Sequence, residues 1–253
     1  MLDFGVGGGD GEDQGKQGQW HVSASIVEGG EELWDFRKHI FLDDTRDGGL
    51  GTLIERINGN EIKRWNGRDE KSGEWALDHV KSFSEYQDRS SGNDTLVASC
   101  HCRGIVLHIA RPPFPLPTAL MDNSVTPNTP GKWYALHDVC TSCRLSTGCA
   151  IVPWCFPLKS SITMPDGSPY RPDLGTARTY QSSPGVIRTF CGVCGATATY
   201  ATEERKEMVD VAVGLLEGHG VRAEDWLEWR KERVSFEKDS LWKGVVEGLK
   251  EGL

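Results

Sequence analysis

Cys191 and Cys194, in the run FCGVCG, are separated by two residues, and each is followed by a glycine, Gly192 and Gly195. A glycine after a ligand cysteine takes φ > 0 at no steric cost, so the chain can curl until both sulfurs point at one centre. Two thiolates cannot close a tetrahedral zinc site, so this knuckle needs two further ligands from elsewhere in the chain. The sequence offers Cys100 and Cys102 in VASCHCRG, and Cys140 and Cys143 in HDVCTSCR. The competing chemistry is a redox disulfide of the thioredoxin kind. It needs a lone CxxC between a strand and a helix of a βαβ pattern, which the surroundings of Cys191 do not show. A disulfide framework fits less well still, because 253 residues is long for a stapled scaffold and the chain starts without a secretory signal. Cys149 and Cys155 stand outside the three pairs and read as packing cysteines.

Composition narrows the partners. The net charge of -9 is spread along the chain with no cluster of Lys and Arg, so nucleic acid is not expected to bind. No run approaches the roughly 18 apolar residues of a membrane span. The expectation is a soluble, cytoplasmic protein with no membrane partner, whose cysteines stay reduced and available to metal. A zinc deaminase is excluded by the missing H-x-E and P-C-x-x-C signature. The Asn93-Asp94-Thr95 sequon, without a secretion signal, is a chance match. Oligomeric state leaves no mark on the sequence.

The elements that must position these cysteines are mainly β. Residues 1–18 are glycine, acid and glutamine and read as a disordered tail. Residues 19–93 hold no cysteine: Trp20, Val22, Ala24 and Ile26 alternate as in a strand, residues 34–42 (WDFRKHIFL) read as a second, and residues 50–57 (LGTLIERI) as a short helix. Residues 67–93 read as linker with one weak helical face. From residue 94 the pattern sharpens into two strands around the Cys100–Cys102 turn, with Ile105, Leu107 and Ile109 on one face. The prolines of residues 112–130 mark an insertion loop. Strands are expected at residues 132–136, 186–190 and 197–201, and a partial helix near the C-terminus with Leu241, Val245, Val246 and Leu249 on its inner face. Two stretches of the N-terminal part also align with the C-terminal part: residues 19–29 (QWHVSASIVEG) with 208–218 (MVDVAVGLLEG), and 36–44 with 229–239. The chain thus carries a partial internal repeat whose first copy lacks every metal ligand.

Three motifs in order, CHCRG, CTSCRLSTG and YQSSPGVIRTFCGVCG, resemble the glutathione-dependent formaldehyde-activating enzyme family, which includes centromere protein V. The resemblance covers about residues 97–218, and the cysteine-free N-terminal stretch is similar to the tail of a degenerate first copy in the family's tandem fungal members. It implies a zinc-containing, β-tent-like fold of small sheets over residues 94–253. It also implies a structural zinc on Cys100, Cys102, Cys191 and Cys194. A site of four thiolates is closed and contributes folding energy directly, which favours the same set.

The family's second, catalytic zinc sits on a CxCxxC motif with one position open to a substrate thiolate. Here the first cysteine of that motif is Asp138, followed by Cys140 and Cys143. A carboxylate oxygen can ligate zinc, leaving the metal harder and a better Lewis acid. His137 is adjacent, but neighbours on an extended chain point oppositely, so one of the two reaches the site. Otherwise Asp138 only caps a turn. Of Arg144, Arg188 and Lys159, Arg144 is the expected anchor for a carboxylate of a glutathione-like ligand, because it follows the open site directly. The activity implied is that of a carbon-sulfur lyase acting on the adduct of a small thiol with an aldehyde. The alternative is a non-catalytic zinc module that binds another protein.

Overall fold

The computed structural model describes residues 2–3, 21–76, 94–117 and 125–253. The expectations for the tail and for most of the linker lie outside the described residues. The structure is mainly β, with two α-helices among the described residues, α1 (Thr141–Thr147) and α2 (Lys243–Gly252). Neither is long and apolar enough to cross a membrane.

Short strands make up the N-terminal part: β1 (Leu2–Asp3), β2 (His21–Val22), β3 (Lys38–His39), β4 (Arg56–Ile57), β5 (Asn60–Glu61) and β6 (Lys63–Arg64). The strand expected at residues 34–42 shrinks to β3, and Phe41 breaks it with φ of 60°. The helix expected at residues 50–57 is instead one 3-10 turn, Gly49–Thr52, followed by the hairpin β4–β5. Asn58 and Gly59 turn that hairpin with φ of 51° and 76°, the left-handed pair that a two-residue turn demands, and a helix cannot pass through it.

The second half carries β7 (Thr95–Ser99), β8 (Val106–Ala110), β9 (Trp133–Asp138), β10 (Val152–Cys155), β11 (Ile162–Thr163), β12 (Ala177–Ser183), β13 (Val186–Cys191), β14 (Thr197–Thr202), β15 (Asp210–Ala212) and β16 (Leu227–Trp229). Seven of them form a sheet in the order β12-β13-β14-β15-β10-β9-β16, antiparallel except where β16 runs parallel to β9. A three-stranded sheet, β11-β8-β7, lies beside it. The alternation read at β8 holds: Ile105, Leu107 and Ile109 are buried, with Leu96 and Ala98 of β7 and Trp133, Trp154 and Val211 of the large sheet in the same core. Trp133 can be fully buried because its Nε1 donates to the Ala110 carbonyl at 2.9 Å.

A second core joins the two ends of the chain. Ile54, Ile57 and Ile62 pack with Val234, Trp242, Val245, Val246 and Leu249, and with Val139 and Ile151, which flank α1. Trp34 and Phe36 meet the Trp242 ring edge-on at 5.9 and 5.2 Å. Close approach here depends on a missing side chain: a Cβ on Gly248 would stand 2.1 Å from the Arg56 carbonyl oxygen.

The aligned segments also share a local path. β2 runs into a 3-10 turn, Ala24–Ile26, and β15 into Val213–Leu215, at matching positions of the alignment. Ser23 and Ala212 enter these turns at φ/ψ of -65°/125° and -64°/120°. In the second aligned pair, Phe41 and Phe236 are both exposed and both at positive φ, 60° and 56°.

Candidate metal centres

The knuckle is built at the end of β13. Gly195 takes φ of 75°, and the Val193 and Cys194 N–H groups both reach Cys191 Sγ at 3.4 Å. Gly192 serves differently from the sequence expectation: it has no positive φ, and a Cβ there would stand 2.8 Å from Arg178 and 3.2 Å from the Thr176 carbonyl oxygen. In the CHCRG turn after β7, the left-handed residue is Arg103 at 57°, and the Ile105 N–H donates to Cys100 Sγ at 3.2 Å.

The two turns bring Cys100, Cys102, Cys191 and Cys194 together with all four sulfurs within 4.8 Å of one another. Cys100 to Cys102 is 3.6 Å and Cys102 to Cys191 is 3.5 Å. The edge of a tetrahedron with 2.3 Å metal–sulfur bonds is about 3.8 Å, so this donor set fits a closed tetrahedral metal. The Cys194 N–H and then the Thr176 hydroxyl, 3.0 Å from Cys191 Sγ, hold the Cys191 thiol down at about 5, already poised as the thiolate a metal takes.

A second cluster, Asp138, Cys140 and Cys143, also lies within 4.8 Å. Asp138 ends β9 and is buried. Its Oδ1 accepts from the Cys140 N–H at 2.8 Å, so it caps the turn and faces the two sulfurs as well. Cys140 is the N-cap of α1, its sulfur accepting from the Cys143 N–H at 3.2 Å, and Gly148 closes the helix at φ of 71°. The hydrogen bond between the two sulfurs pushes Cys140 up and pulls Cys143 down, while burial raises the Asp138 carboxyl. Two sulfurs and one oxygen make a three-donor set, fitting a metal with a position left over. His137 turns to the other side of β9, stacked on Trp229 at 4.6 Å, and burial, then Arg222, push its imidazole down to about 4. It is no part of this cluster.

The second cluster lines a cavity of about 1020 Å³. Leu136, Trp154 and Phe156 form its apolar wall, the buried Arg188 and Asp210 and the half-buried Arg205 its polar one, and Arg233 and Phe236 stand at exposed positions. Arg205 holds both Asp210 oxygens at 2.9 Å. Even so, desolvation carries the Asp210 carboxyl up to about 6.

Arg144 is placed differently from the expectation. It is buried behind α1, where Nη1 donates to the Ser25 carbonyl, and it is absent from the cavity wall. Consecutive helical residues diverge by about 100°, so the residue after Cys143 cannot share its direction. The arginine beside Cys143 is Arg188 of β13, with Nη1 and Nη2 each 3.8 Å from the sulfur. Cys155 is fully buried, as read, whereas Cys149 is exposed.

The model of the glutathione-dependent formaldehyde-activating enzyme family matches residues 123–231. This stretch is similar to that family. It contains Asp138, Cys140, Cys143, Cys191 and Cys194; Cys100 and Cys102 precede it and reach their cluster through the fold. Among curated proteins none matches the chain. Among solved structures, the crystal structure of a Rhodobacter sphaeroides protein is similar at 18% identity and a TM-score of 0.34, covering 53% of this chain and 99% of that one.

Proposed function

We propose that the protein is a zinc-dependent carbon-sulfur lyase that makes or breaks the bond between a small thiol such as glutathione and the carbon of a small aldehyde such as formaldehyde. The observation that carries the reading is the placement of Asp138, Cys140 and Cys143 in the wall of a cavity of about 1020 Å³. That volume suits a tripeptide thiol. These three residues would hold the zinc with one position open, and the four-cysteine cluster would hold a second, closed zinc. The open metal, when bound, would keep a thiol ionised at neutral pH. The chain's own side chains do the rest. Arg188 faces Cys143, Asp138 supplies the oxygen donor, and Leu136, Trp154 and Phe156 exclude water from the reacting carbon.

The test is zinc per chain by mass spectrometry for the wild type and Cys140→Ser, alongside adduct formation from glutathione and formaldehyde. Two equivalents falling to one, together with loss of adduct formation, is the expected result. One equivalent in both proteins would sink the catalytic reading and leave a non-catalytic zinc module.

A further inference from the structure

The cavity wall holds a cation whose bonding is unfinished. Arg188 is 6% exposed, and a buried guanidinium is costly unless its donors are matched. No carboxylate lies within ion-pair distance of it among the described residues. Its Nη2 donates to Ser142 Oγ at 3.0 Å, both Nη atoms reach Cys143 Sγ only at 3.8 Å, and Nε has no partner. The Tyr200 ring covers the guanidinium at 4.8 Å and fixes its plane. Its neighbours on the wall are already engaged. Arg205 is spent on both oxygens of Asp210, and Arg230 donates to Tyr134 Oη at 3.0 Å and Ser235 Oγ at 2.9 Å. Arg188 is therefore a buried cation with donors to spare, beside the sulfur of the open cluster.

We propose that Arg188 is a catalytic residue of this site, its guanidinium holding the oxygen of the one-carbon unit while the carbon–sulfur bond forms or breaks. This rests on the reading of the site as one for thiol–aldehyde adducts. In the synthetic direction the thiolate's electron pair forms the C–S bond and the carbonyl π pair moves onto oxygen. The resulting alkoxide takes a proton from water, giving the hydroxymethyl thioether. Cleavage reverses this: the hydroxyl proton passes to water, C=O re-forms, and the C–S pair returns to sulfur. Negative charge on oxygen peaks between these steps, and that is where a fixed donor acts. Arg188 holds the oxygen through its N–H donors, and water supplies and takes up the proton.

The experiment compares wild type, Arg188→Lys and Arg188→Met with formaldehyde and either glutathione or 2-mercaptoethanol, a thiol with no carboxylate. Zinc per chain and glutathione affinity by calorimetry are measured on the same samples. Both variants are expected to keep their zinc and to bind glutathione within about threefold of wild type. Adduct formation, as kcat/KM, falls about 100-fold in Arg188→Met and less in Arg188→Lys, with both thiols alike. A defect confined to glutathione would mean that Arg188 holds a peptide carboxylate, and zinc lost in step with activity would make it a brace for Cys143; either overturns the inference. An active wild type matched by Arg188→Met sinks the inference alone. A zinc-replete wild type that forms adduct with neither thiol sinks the underlying reading and this one with it.

Discussion

The two clusters use the same chemical elements in opposite ways. Cys100, Cys102, Cys191 and Cys194 are set in two tight turns from two different sheets, so a metal on all four would join the β7–β8 hairpin to the end of β13. Asp138, Cys140 and Cys143 come from one short segment, the end of β9 and the first turn of α1, and look into a cavity of about 1020 Å³. A metal that spans distant segments adds to folding; one that sits on a local segment adds to chemistry. The surroundings differ likewise. The closed cluster is satisfied by backbone N–H groups and the Thr176 hydroxyl, whereas the open one is ringed by charge, the buried Arg188 and Asp210 and the half-buried Arg205.

The largest expected effect follows from that contrast. Cys191→Ser removes a ligand that ties two sheets together. Apparent binding energies of structural zinc are on the order of 10 kcal/mol, comparable with the whole stability of a domain, so the variant should lose its cooperative thermal transition. Cys140→Ser should keep that transition within a few degrees and lose one zinc. Both are read by circular dichroism melting on metal-replete protein. A Cys140→Ser variant that unfolds like Cys191→Ser would show that the open cluster is structural too.

How much of this was legible in the sequence follows the range of the interactions. The three cysteine pairs and the β8 alternation are local patterns, and they were readable because ligand spacing and strand period survive in a short window. The Asn58-Gly59 hairpin is equally local, but it directly follows a competing helical pattern at residues 50–57. Arg144 adjoins Cys143 in sequence but not in space, because a helix turns consecutive residues apart. Arg188 does not stand out in sequence: its burial depends on β13 lying between β12 and β14, with a bulge at Thr189/Phe190 that leaves Phe190 exposed while Arg188 points inward. Asp210 carried no motif at all. Only the pairing of Tyr200 with Asp210 across β14 and β15 brings it to the cavity.

Asp210 gives the next prediction, a pH dependence carried by the wall of the open cluster. Its carboxyl is buried and pushed up to about 6 from an ordinary value near 3.8, with Arg205 bound to it, Arg188 and Asp138 facing it, and Cys155 and Tyr200 close enough to feel its charge. The folded state therefore holds this proton more tightly than the unfolded one. The stabilisation is complete below pH 3.8 and is lost as pH rises through 6. Asparagine mimics the protonated form at every pH. Asp210→Asn should gain on the wild type, by up to about 3 kcal/mol, between pH 4 and pH 7 in urea denaturation. A difference that stays flat over that range would show that Arg205 fully compensates the carboxylate and that the wall of the open cluster stores no such cost.

The smallest effect concerns Asp138, the one oxygen donor among the candidate metal ligands. Asp138 spends one oxygen on the Cys140 N–H, so the carboxylate is both a turn cap and a donor to the cluster. Asp138→Cys would replace a hard oxygen by a third thiolate, and softer donors hold zinc more firmly while leaving it a weaker Lewis acid. Loss of zinc to a chelator should then occur in two phases in both proteins, the fast phase belonging to the open cluster. That phase should slow about tenfold in Asp138→Cys, roughly 1.4 kcal/mol, with the slow phase unchanged. If the fast phase keeps its rate, the carboxylate does not ligate the metal and its part is the turn alone; Asp138→Asn, which keeps the Oδ1 acceptor but loses the charge, should then also release zinc at the wild-type rate.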